Sequence, residues 1–399
     1  MDNRWIIDSD AHVTEPADVW TARVPAKWKN HVPHVVRNDE ERDVWMLEGT
    51  QIDTVGVTAS GINPEGQMVA YKGYEDCPPA AYDSHERLKY MDEVGIWAQV
   101  LYPNVAGFGS QKFLDLDDPE LQIACVRAYN DFLAEWCSAD PNRLIGVMAT
   151  PFWNVEESVK EVKRCHDELG YRAILFTGEP MRFGQPTLGD KAWDPFWSVA
   201  QELNMPIHFH IGGGENALNN LFRNRIEHHG TKGAATHLVV DLFMKNGVQC
   251  ADLISSGVLE RYPTLKFVSV ESGCGWLPFV LETADYTWLG LTRKGRVREV
   301  GDMLPSDLFK RQVYATVWFE QVAPHNLLEQ MPVDNLLFET DYPHNACLFG
   351  NIRETIEDAW GDAPEDVRQK VLWDNAAKLY RIAAPSRAPA SLIGASGGN

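Results

Sequence analysis

Residues 6–12, Ile6-Ile7-Asp8-Ser9-Asp10-Ala11-His12, join a short apolar run to a carboxylate and an imidazole. Side chains alternate between the two faces of a β-strand, so Asp10 and His12 are predicted to project from one face at the end of a first strand. A carboxylate oxygen and an imidazole nitrogen side by side are two ligands for a divalent metal ion. The pair is common in unrelated sequences, so its meaning depends on the residues that end the later strands.

Short apolar or β-branched segments recur along the chain, and amphipathic segments lie between most of them. The predicted strands are 5–10, 98–102, 144–150, 173–177, 207–210, 266–271, 312–318 and 335–340. The predicted helices are 84–94, 119–138, 155–169, 193–203, 277–289, 324–330 and 363–382. Strands that alternate with helices indicate a parallel sheet, and eight of them in about 340 residues fit a (β/α)8 TIM barrel.

Two long insertions interrupt this alternation. Residues 14–82 follow the first predicted strand and are rich in Pro, Trp and Gly, and residues 212–257 follow the fifth. Loops at the carboxyl ends of barrel strands usually form a lid or the walls of a substrate site, with a contact between subunits as the alternative. We expect one barrel domain over residues 1–382 and a disordered tail, rich in small residues, over 383–399.

The composition is that of a globular protein, with 399 residues of which 44% are hydrophobic and 23% charged. Without 18 uninterrupted apolar residues, the sequence predicts no membrane span. The net charge of −21 argues against nucleic acid or an anionic membrane as a partner, but allows a small anionic substrate. The start of the chain resembles no signal peptide, and the seven cysteines are dispersed, so a cytoplasmic protein with reduced thiols is expected.

Polar residues follow three of the later predicted strands. His210 ends the fifth strand, Glu271 ends the sixth and Asp341 follows the eighth. A buried carboxylate is costly unless it binds a metal ion or a partner. Each residue also has an ordinary explanation, as a hydrogen-bonded core histidine, a helix cap or a turn residue. Taken together, however, His210 and Asp341 share one face of a closed barrel with the pair on the first strand.

The chain resembles the amidohydrolase superfamily, specifically its aminocarboxymuconate semialdehyde decarboxylase-like branch. The resemblance covers about residues 5–382 and rests on five motifs: D-x-D-x-H-V-x-E-P from Asp8, P-I-H-F-H-x-G from Pro206, E-S-G-x-G-W-x-P from Glu271, L-F-E-T-D-Y-P-H from Leu337 and N-A-A-K-L-Y from Asn375. It implies that one divalent metal ion is bound by four residues: Asp10, His12, His210 and Asp341.

Two departures from the family pattern affect the expected chemistry. Asp10 stands where many members have a histidine, which favours a harder ion such as Mn²⁺ or Mg²⁺, although Zn²⁺ also fits. Glu271 stands where many relatives have a histidine that contacts the substrate or a metal-bound water. The fourth predicted strand ends at Thr177 without the lysine that binuclear relatives commonly use, so one metal ion is expected.

Two reactions fit these residues. The resemblance favours a non-oxidative, metal-dependent decarboxylase of a cyclic or aromatic carboxylic acid, with Asp341 as proton donor, Glu271 as an alternative acid and His344 orienting an anionic group. The alternative is a metal-dependent hydrolase that uses metal-bound hydroxide on an amide, ester, lactone or C–C bond. A non-catalytic barrel scaffold is a second alternative, although the full set of ligand types disfavours it. The expected partners are a small-molecule substrate and, because relatives are often dimers or larger, further copies of the chain.

Overall fold

The structure, a computed structural model, describes residues 4–55, 71–214, 220–293, 303–344, 346–348, 350 and 352–385. The strands are β1 (Ile6–His12), β2 (His34–Arg37), β3 (Asp43–Leu47), β4 (Thr50–Thr54), β5 (Ile96–Tyr102), β6 (Leu144–Met148), β7 (Ala173–Leu175), β8 (Ile207–His210), β9 (Phe267–Val270), β10 (Val313–Val317) and β11 (Leu336–Phe338). The helices are α1 (Pro79–Tyr82), α2 (Ser84–Val94), α3 (Pro119–Cys137), α4 (Val155–Leu169), α5 (Asp194–Glu202), α6 (Asn220–Ser255), α7 (Val258–Arg261), α8 (Leu277–Arg293), α9 (Pro305–Gln312), α10 (Val322–Asn326), α11 (Ile352–Trp360), α12 (Glu365–Gln369) and α13 (Asn375–Tyr380).

Eight of the strands form one parallel sheet in the order β1, β5, β6, β7, β8, β9, β10, β11. Its two ends meet at a parallel bridge between Ala11 and Tyr342. There the backbone N–H of Asp341 donates to the carbonyl of Asp10 at 2.9 Å, and that of His12 donates to Tyr342 at 2.6 Å. The sheet is therefore a nearly closed cylinder with helices between its strands, which confirms the (β/α)8 TIM barrel.

Burial and end signals explain why these segments adopt these structures. Every residue of β6 and β10 is buried, as expected for strands packed on both faces in a parallel sheet. Helix α2 begins after Asp83, whose side chain accepts from the N–H groups of His85 and Glu86, and ends at Gly95 in the left-handed conformation. The next residue, Ile96, starts β5, so Gly95 alone connects α2 to β5.

The predicted elements differ from the observed ones mainly at their ends. All eight predicted barrel strands exist, although β7 and β11 are only three residues long. The helix predicted over 324–330 is a short α10 followed by a 3₁₀ turn, and the one predicted over 363–382 is interrupted by a π-helical segment at 370–374. Helices α1, α6, α7, α9 and α11 were not predicted.

The two insertions contain structure that the sequence pattern did not reveal. The first carries a three-stranded antiparallel sheet, β2–β3–β4, and its residues 56–70 lie outside the described part. The second consists mostly of α6, which is broken at Gly230 by non-helical backbone angles (φ 72°, ψ 167°). The tail predicted over 383–399 lies outside the described residues beyond position 385.

Two further expectations concern the whole chain. All seven cysteines are buried and free, and their reduced state stays a prediction. Within the part of the chain that the structure describes, no helix combines the length and the apolar character needed to cross a bilayer.

Candidate metal centre

Five polar side chains meet at the carboxyl ends of four barrel strands. Asp10 and His12 lie on β1, and His210 is the last residue of β8. Glu271 directly follows β9, and Asp341 follows β11. All five are buried, with exposed fractions between 0 and 9%. The barrel thus gathers at one end the residues that the sequence had placed at separate strand ends.

The distances between these side chains are those of a shared site. His12 Nε2 lies 3.4 Å from Asp10 Oδ1 and 3.3 Å from Asp341 Oδ1. His210 Nε2 lies 3.6 Å from Asp10 Oδ2 and 3.4 Å from Glu271 Oε2. The two imidazoles therefore each face two carboxylates.

Potential ligand atoms within 4.8 Å of one another form two overlapping sets. One set comprises Asp10, His12, His210 and Glu271, and the other comprises His12, Glu271, Asp341 and His344. Because the sets share His12 and Glu271, they belong to a single buried cluster that is able to hold one metal ion. Glu271 lies inside this cluster, whereas the sequence pattern suggested a role beside the metal ligands.

The two imidazoles are oriented as metal ligands. His12 Nδ1 lies 3.2 Å from the Pro103 carbonyl, and His210 Nδ1 lies 2.8 Å from the Ile211 carbonyl. A carbonyl oxygen only accepts, so Nδ1 carries the hydrogen in both rings and the Nε2 lone pair faces the cluster.

Polar atoms without hydrogen-bond partners at the centre of the cluster suit a bound cation. Among the described residues, no hydrogen-bond donor or acceptor pairs with His12 Nε2, His210 Nε2 or either carboxylate oxygen of Asp10. Buried polar atoms without partners are costly and rare in native proteins. A divalent ion coordinated by these lone pairs removes that cost, and the hard oxygen and imidazole ligands suit Mn²⁺, Mg²⁺ or Zn²⁺.

The shifted pKa values of the cluster also favour a bound cation. Burial raises the pKa of the Asp10, Glu271 and Asp341 carboxyl groups, and the neighbouring carboxylates raise each pKa further. Burial lowers the pKa of His12, and it lowers the pKa of His210 to about 4. The imidazoles are therefore neutral and able to coordinate near pH 7, and a bound cation would relieve the repulsion between the carboxylates.

Two of the acidic residues occupy unusual backbone conformations. Glu271 has φ 55° and Asp341 has φ 60°, in the left-handed region that non-glycine residues rarely adopt. The N–H of Glu271 donates to Thr316 Oγ1 at 2.9 Å and to Glu339 Oε2 at 3.2 Å. Strained residues that the surroundings hold in place are typical of functional sites.

Asp8 on β1 bonds both to β5 and to the segment that follows β11. It accepts from the Thr340 backbone N–H at 2.8 Å, from Thr340 Oγ1 at 2.6 Å and from Gln99 Nε2 at 2.8 Å. Burial outweighs these bonds and raises the pKa of Asp8 to about 6. Sequence reasoning quoted this residue in a motif but assigned it no role, because its partners are distant in the chain.

Three more residues complete the surroundings, and sequence reasoning identified only one of them. His344 places Nδ1 2.7 Å from Asp341 Oδ1 and stacks on His12, with ring centroids 3.8 Å apart. Its Nε2 lies 2.7 Å from Asn104 Oδ1. Phe108 stacks on His210 at 4.0 Å. Asn104 and Phe108 follow β5, outside the quoted motifs, and a lone Asn or Phe in a loop gives no signal of its own.

His208 is a structural neighbour of the site. Its Nδ1 lies 3.0 Å from the Tyr102 hydroxyl, and its Nε2 lies 3.4 Å from the Tyr380 hydroxyl. Burial lowers its pKa to about 3, so it is a neutral, hydrogen-bonded core residue one layer below His210.

Comparisons with known proteins agree with this geometry. A family model described as amidohydrolase matches residues 7–382. The γ-resorcylate decarboxylase of Polaromonas sp. is 28% identical over 309 residues, which covers 74% of this chain and 86% of that protein.

Solved structures share the fold. An amidohydrolase from Mycobacterium avium subsp. paratuberculosis gives a TM-score of 0.76 at 22% identity, covering 95% of this chain and 100% of the other. A dihydroxybenzoic acid decarboxylase from Polaromonas sp., solved with bound manganese and the inhibitor 2-nitroresorcinol, gives a TM-score of 0.61 at 21% identity, covering 96% and 98%. Because the family model spans the barrel from β1 to the residues after α13, this chain belongs to the amidohydrolase family of enzymes.

Proposed function

We propose that this protein is a metal-dependent, non-oxidative decarboxylase that acts on a cyclic or aromatic carboxylic acid. The observation that carries the proposal is the buried cluster of carboxylates and imidazoles with unpartnered atoms at its centre. The similarity to the γ-resorcylate decarboxylase of Polaromonas sp. supports the choice of reaction.

The proposed metal ligands are Asp10, His12, His210 and Asp341, with Glu271 close enough to join them. A bound divalent ion would supply positive charge that anchors the oxygen atoms of an anionic substrate. That charge is needed here because carboxylates dominate the cluster. The manganese in the related Polaromonas structure supports Mn²⁺ as the first ion to test.

Asp341 is the proposed proton donor. Its carboxyl proton is transferred to the ring carbon that bears the substrate carboxylate, which forms a new C–H bond. The C–C bond to the carboxylate then breaks, its electron pair returns to the ring, and CO₂ leaves as a neutral molecule. Glu271 is the alternative donor. His344, whose Nδ1 lies 2.7 Å from Asp341 Oδ1, is placed to orient an anionic group.

We propose that the insertions form walls of the substrate site within a single domain over residues 1–382. Strand β4 of the first insertion is tied to the segment after β5, because Lys112 Nζ donates to the Ile52 carbonyl at 2.8 Å. Helix α6 of the second insertion is tied to the barrel by Asn246, whose Nδ2 donates to the Phe209 carbonyl at 3.0 Å. Phe108 stacks on His210 but is only partly buried, so the uncovered part of its ring is available to a substrate ring.

We propose that the protein is a cytoplasmic homo-oligomer that binds neither nucleic acid nor membranes. Its negative charge opposes polyanionic partners, and its free cysteines suit a reducing compartment. Apolar side chains on α6 and α8 support self-association: Val248 is 66% exposed, Phe279 69% and Tyr286 80%.

The test is a substrate screen with Mn²⁺-loaded and Zn²⁺-loaded protein on hydroxybenzoates, aromatic amides and lactones. Released CO₂ is measured separately from released acid. The proposal expects a hydroxybenzoate to release CO₂ without net release of acid. The Asp341→Asn variant should no longer release this CO₂. Acid release without CO₂ would establish the hydrolase alternative. If the protein retains no metal and turns over none of these compounds, the result would indicate the non-catalytic scaffold.

A further inference from the structure

Arg87, on helix α2, is a fully buried cation that bonds to the backbone of a proposed metal ligand. Its Nη2 donates to the carbonyl oxygen of His12 at 2.7 Å, and its Nε donates to the carbonyl of Ala80 at 2.6 Å. The N–H of His12 donates to the Tyr342 carbonyl at 2.6 Å. Both backbone polar groups of His12 are therefore bonded, one to the guanidinium and the other to the segment after β11.

The same guanidinium packs against the barrel seam, the place where β1 meets the segment after β11. Its Cζ lies 4.6 Å from the centroid of the Tyr342 ring, which is a cation–π contact. Tyr342 directly follows Asp341 and forms the parallel bridge with Ala11 that closes the barrel. Arg87 thus contacts both of the segments that meet at the seam.

Gln99, on β5, connects Arg87 to the residues that precede Asp341. Arg87 Nη1 donates to Gln99 Oε1 at 3.0 Å, and Gln99 Nε2 donates to Asp8 Oδ2 at 2.8 Å. Because a guanidinium only donates, the amide oxygen belongs next to Arg87 and the amide N–H groups face Asp8. Asp8 accepts in turn from the backbone N–H of Thr340 at 2.8 Å. A chain of hydrogen bonds therefore runs from Arg87 to the residue before Asp341.

We propose that Arg87 is a positioning residue that holds His12 and Asp341 in register across the barrel seam. It acts on His12 through the backbone carbonyl, and on Asp341 through the chain of bonds that begins at Gln99. A planar guanidinium serves carbonyl, amide and aromatic neighbours at once, whereas lysine carries the same charge without the fork of donors. That the two positioned residues bind a metal ion rests on the proposed function.

Hydrogen–deuterium exchange on the full chain, freed of metal by chelation, tests this role in Arg87→Lys. Mass spectrometry follows the peptides that cover residues 8–13 and 337–343, the two sides of the seam. We expect both peptides to exchange at least about tenfold faster in the variant, because each side loses a hydrogen bond that depends on a charged donor.

The matched control is Arg143→Lys. Arg143 is also a buried arginine, donates to the carbonyls of Trp97 at 2.7 Å and Ile96 at 3.2 Å, and lies 4.8 Å from the centroid of the Trp97 ring. This variant should lose stability as well, but its seam peptides should exchange as slowly as those of the wild type. Unchanged seam exchange in Arg87→Lys, or equal acceleration in the two variants, would overturn the proposal.

Gln99→Met decides the question if Arg87→Lys does not fold. It keeps the guanidinium and its bond to His12, and it removes only the link to Asp8. We expect the peptide that covers residues 337–343 to exchange faster in this variant. Wild-type exchange of that peptide in Gln99→Met would contradict the chain of bonds.

Metal binding provides the second measurement. By equilibrium dialysis, Arg87→Lys should lower the affinity for Mn²⁺ by about 10–100-fold, as for the loss of a residue that supports a ligand, while Arg143→Lys leaves it unchanged. Wild-type affinity in a folded Arg87→Lys would refute the positioning of ligands. If the wild type binds no Mn²⁺, the proposed function fails, whereas the exchange measurement on metal-free protein still decides the role of Arg87.

Discussion

His12 Nε2, on the first barrel strand, lies 3.3 Å from Oδ1 of Asp341, which follows the last barrel strand. Backbone bonds between the same two segments accompany this contact, including the one from the Asp341 N–H to the Asp10 carbonyl. The contact exists only when β1 and β11 lie side by side. Closing the barrel and assembling the candidate metal centre are therefore the same structural event.

Removing one imidazole from the cluster should weaken metal binding. In His210→Ala we expect the affinity for Mn²⁺ to fall at least about 100-fold, because a direct ligand is lost. The loss of a residue that only supports a ligand already lowers metal affinity by about 10–100-fold. Equilibrium dialysis with metal analysis measures this. His166→Ala, on the surface of α4, is the control. Equal affinities in the two variants would show that His210 is not a ligand.

Replacing the proposed proton donor should lower kcat strongly and change substrate binding little. Asp341→Asn keeps the shape of the side chain, and we expect kcat to fall by about 10² to 10⁴, the usual contribution of a general acid. Rates are compared at equal metal occupancy, with Asp334→Asn, an exposed residue paired with Lys370, as the control. If Asp341→Asn retains most of its activity at full occupancy, Glu271 becomes the candidate acid.

Phe108 should contribute to the binding of a substrate ring. Phe108→Ala removes a partly exposed aromatic ring next to His210, so we expect KM for an aromatic acid to rise by about fivefold, as for the loss of one ring–ring contact. Steady-state kinetics measure the change, and Phe279→Ala, exposed on α8, is the control. An unchanged KM would place the substrate elsewhere.

Glu15 should make stability depend on pH between about 4.5 and 7. Burial raises its pKa from 4.5 to about 7, so the folded protein holds this proton over a range in which the unfolded chain releases it. Stability contributed by this group is therefore lost as the pH rises through that window. By linkage the loss is at most about 3 kcal/mol.

Urea unfolding of metal-free wild type and Glu15→Gln checks this prediction. The variant should become more stable relative to the wild type as the pH is raised from acidic to neutral. A difference in free energy of unfolding that stays constant with pH would contradict it. The buried histidines titrate in both proteins, so their opposite pH dependence cancels in the difference.

The barrel strands could be predicted from the sequence because they are short, continuous apolar runs that are buried on both faces. The strands of the first insertion could not. In β2 every residue is partly or fully exposed, so no hydrophobic pattern marks it. Helix α6 was missed for a related reason: Gly230, Gly233 and Gly247 interrupt its helical pattern.

The candidate ligands could be proposed from the sequence because they end apolar strands and fall in the quoted motifs. Glu271 was noticed, but its place inside the cluster depends on the convergence of strand ends. Asn104 was not noticed, because its meaning comes from His344, 240 positions later in the chain. Asp8 likewise acquires its role only through Thr340 on the far side of the barrel seam.

The central claim is that one divalent ion binds at the end of the barrel. Anomalous X-ray diffraction from crystals grown with Mn²⁺ tests it most directly. We expect a single anomalous peak about 2.0–2.3 Å from ligand atoms of four residues: Asp10, His12, His210 and Asp341. The absence of a peak among these side chains in crystals containing Mn²⁺, or a peak held by other residues instead, would contradict it.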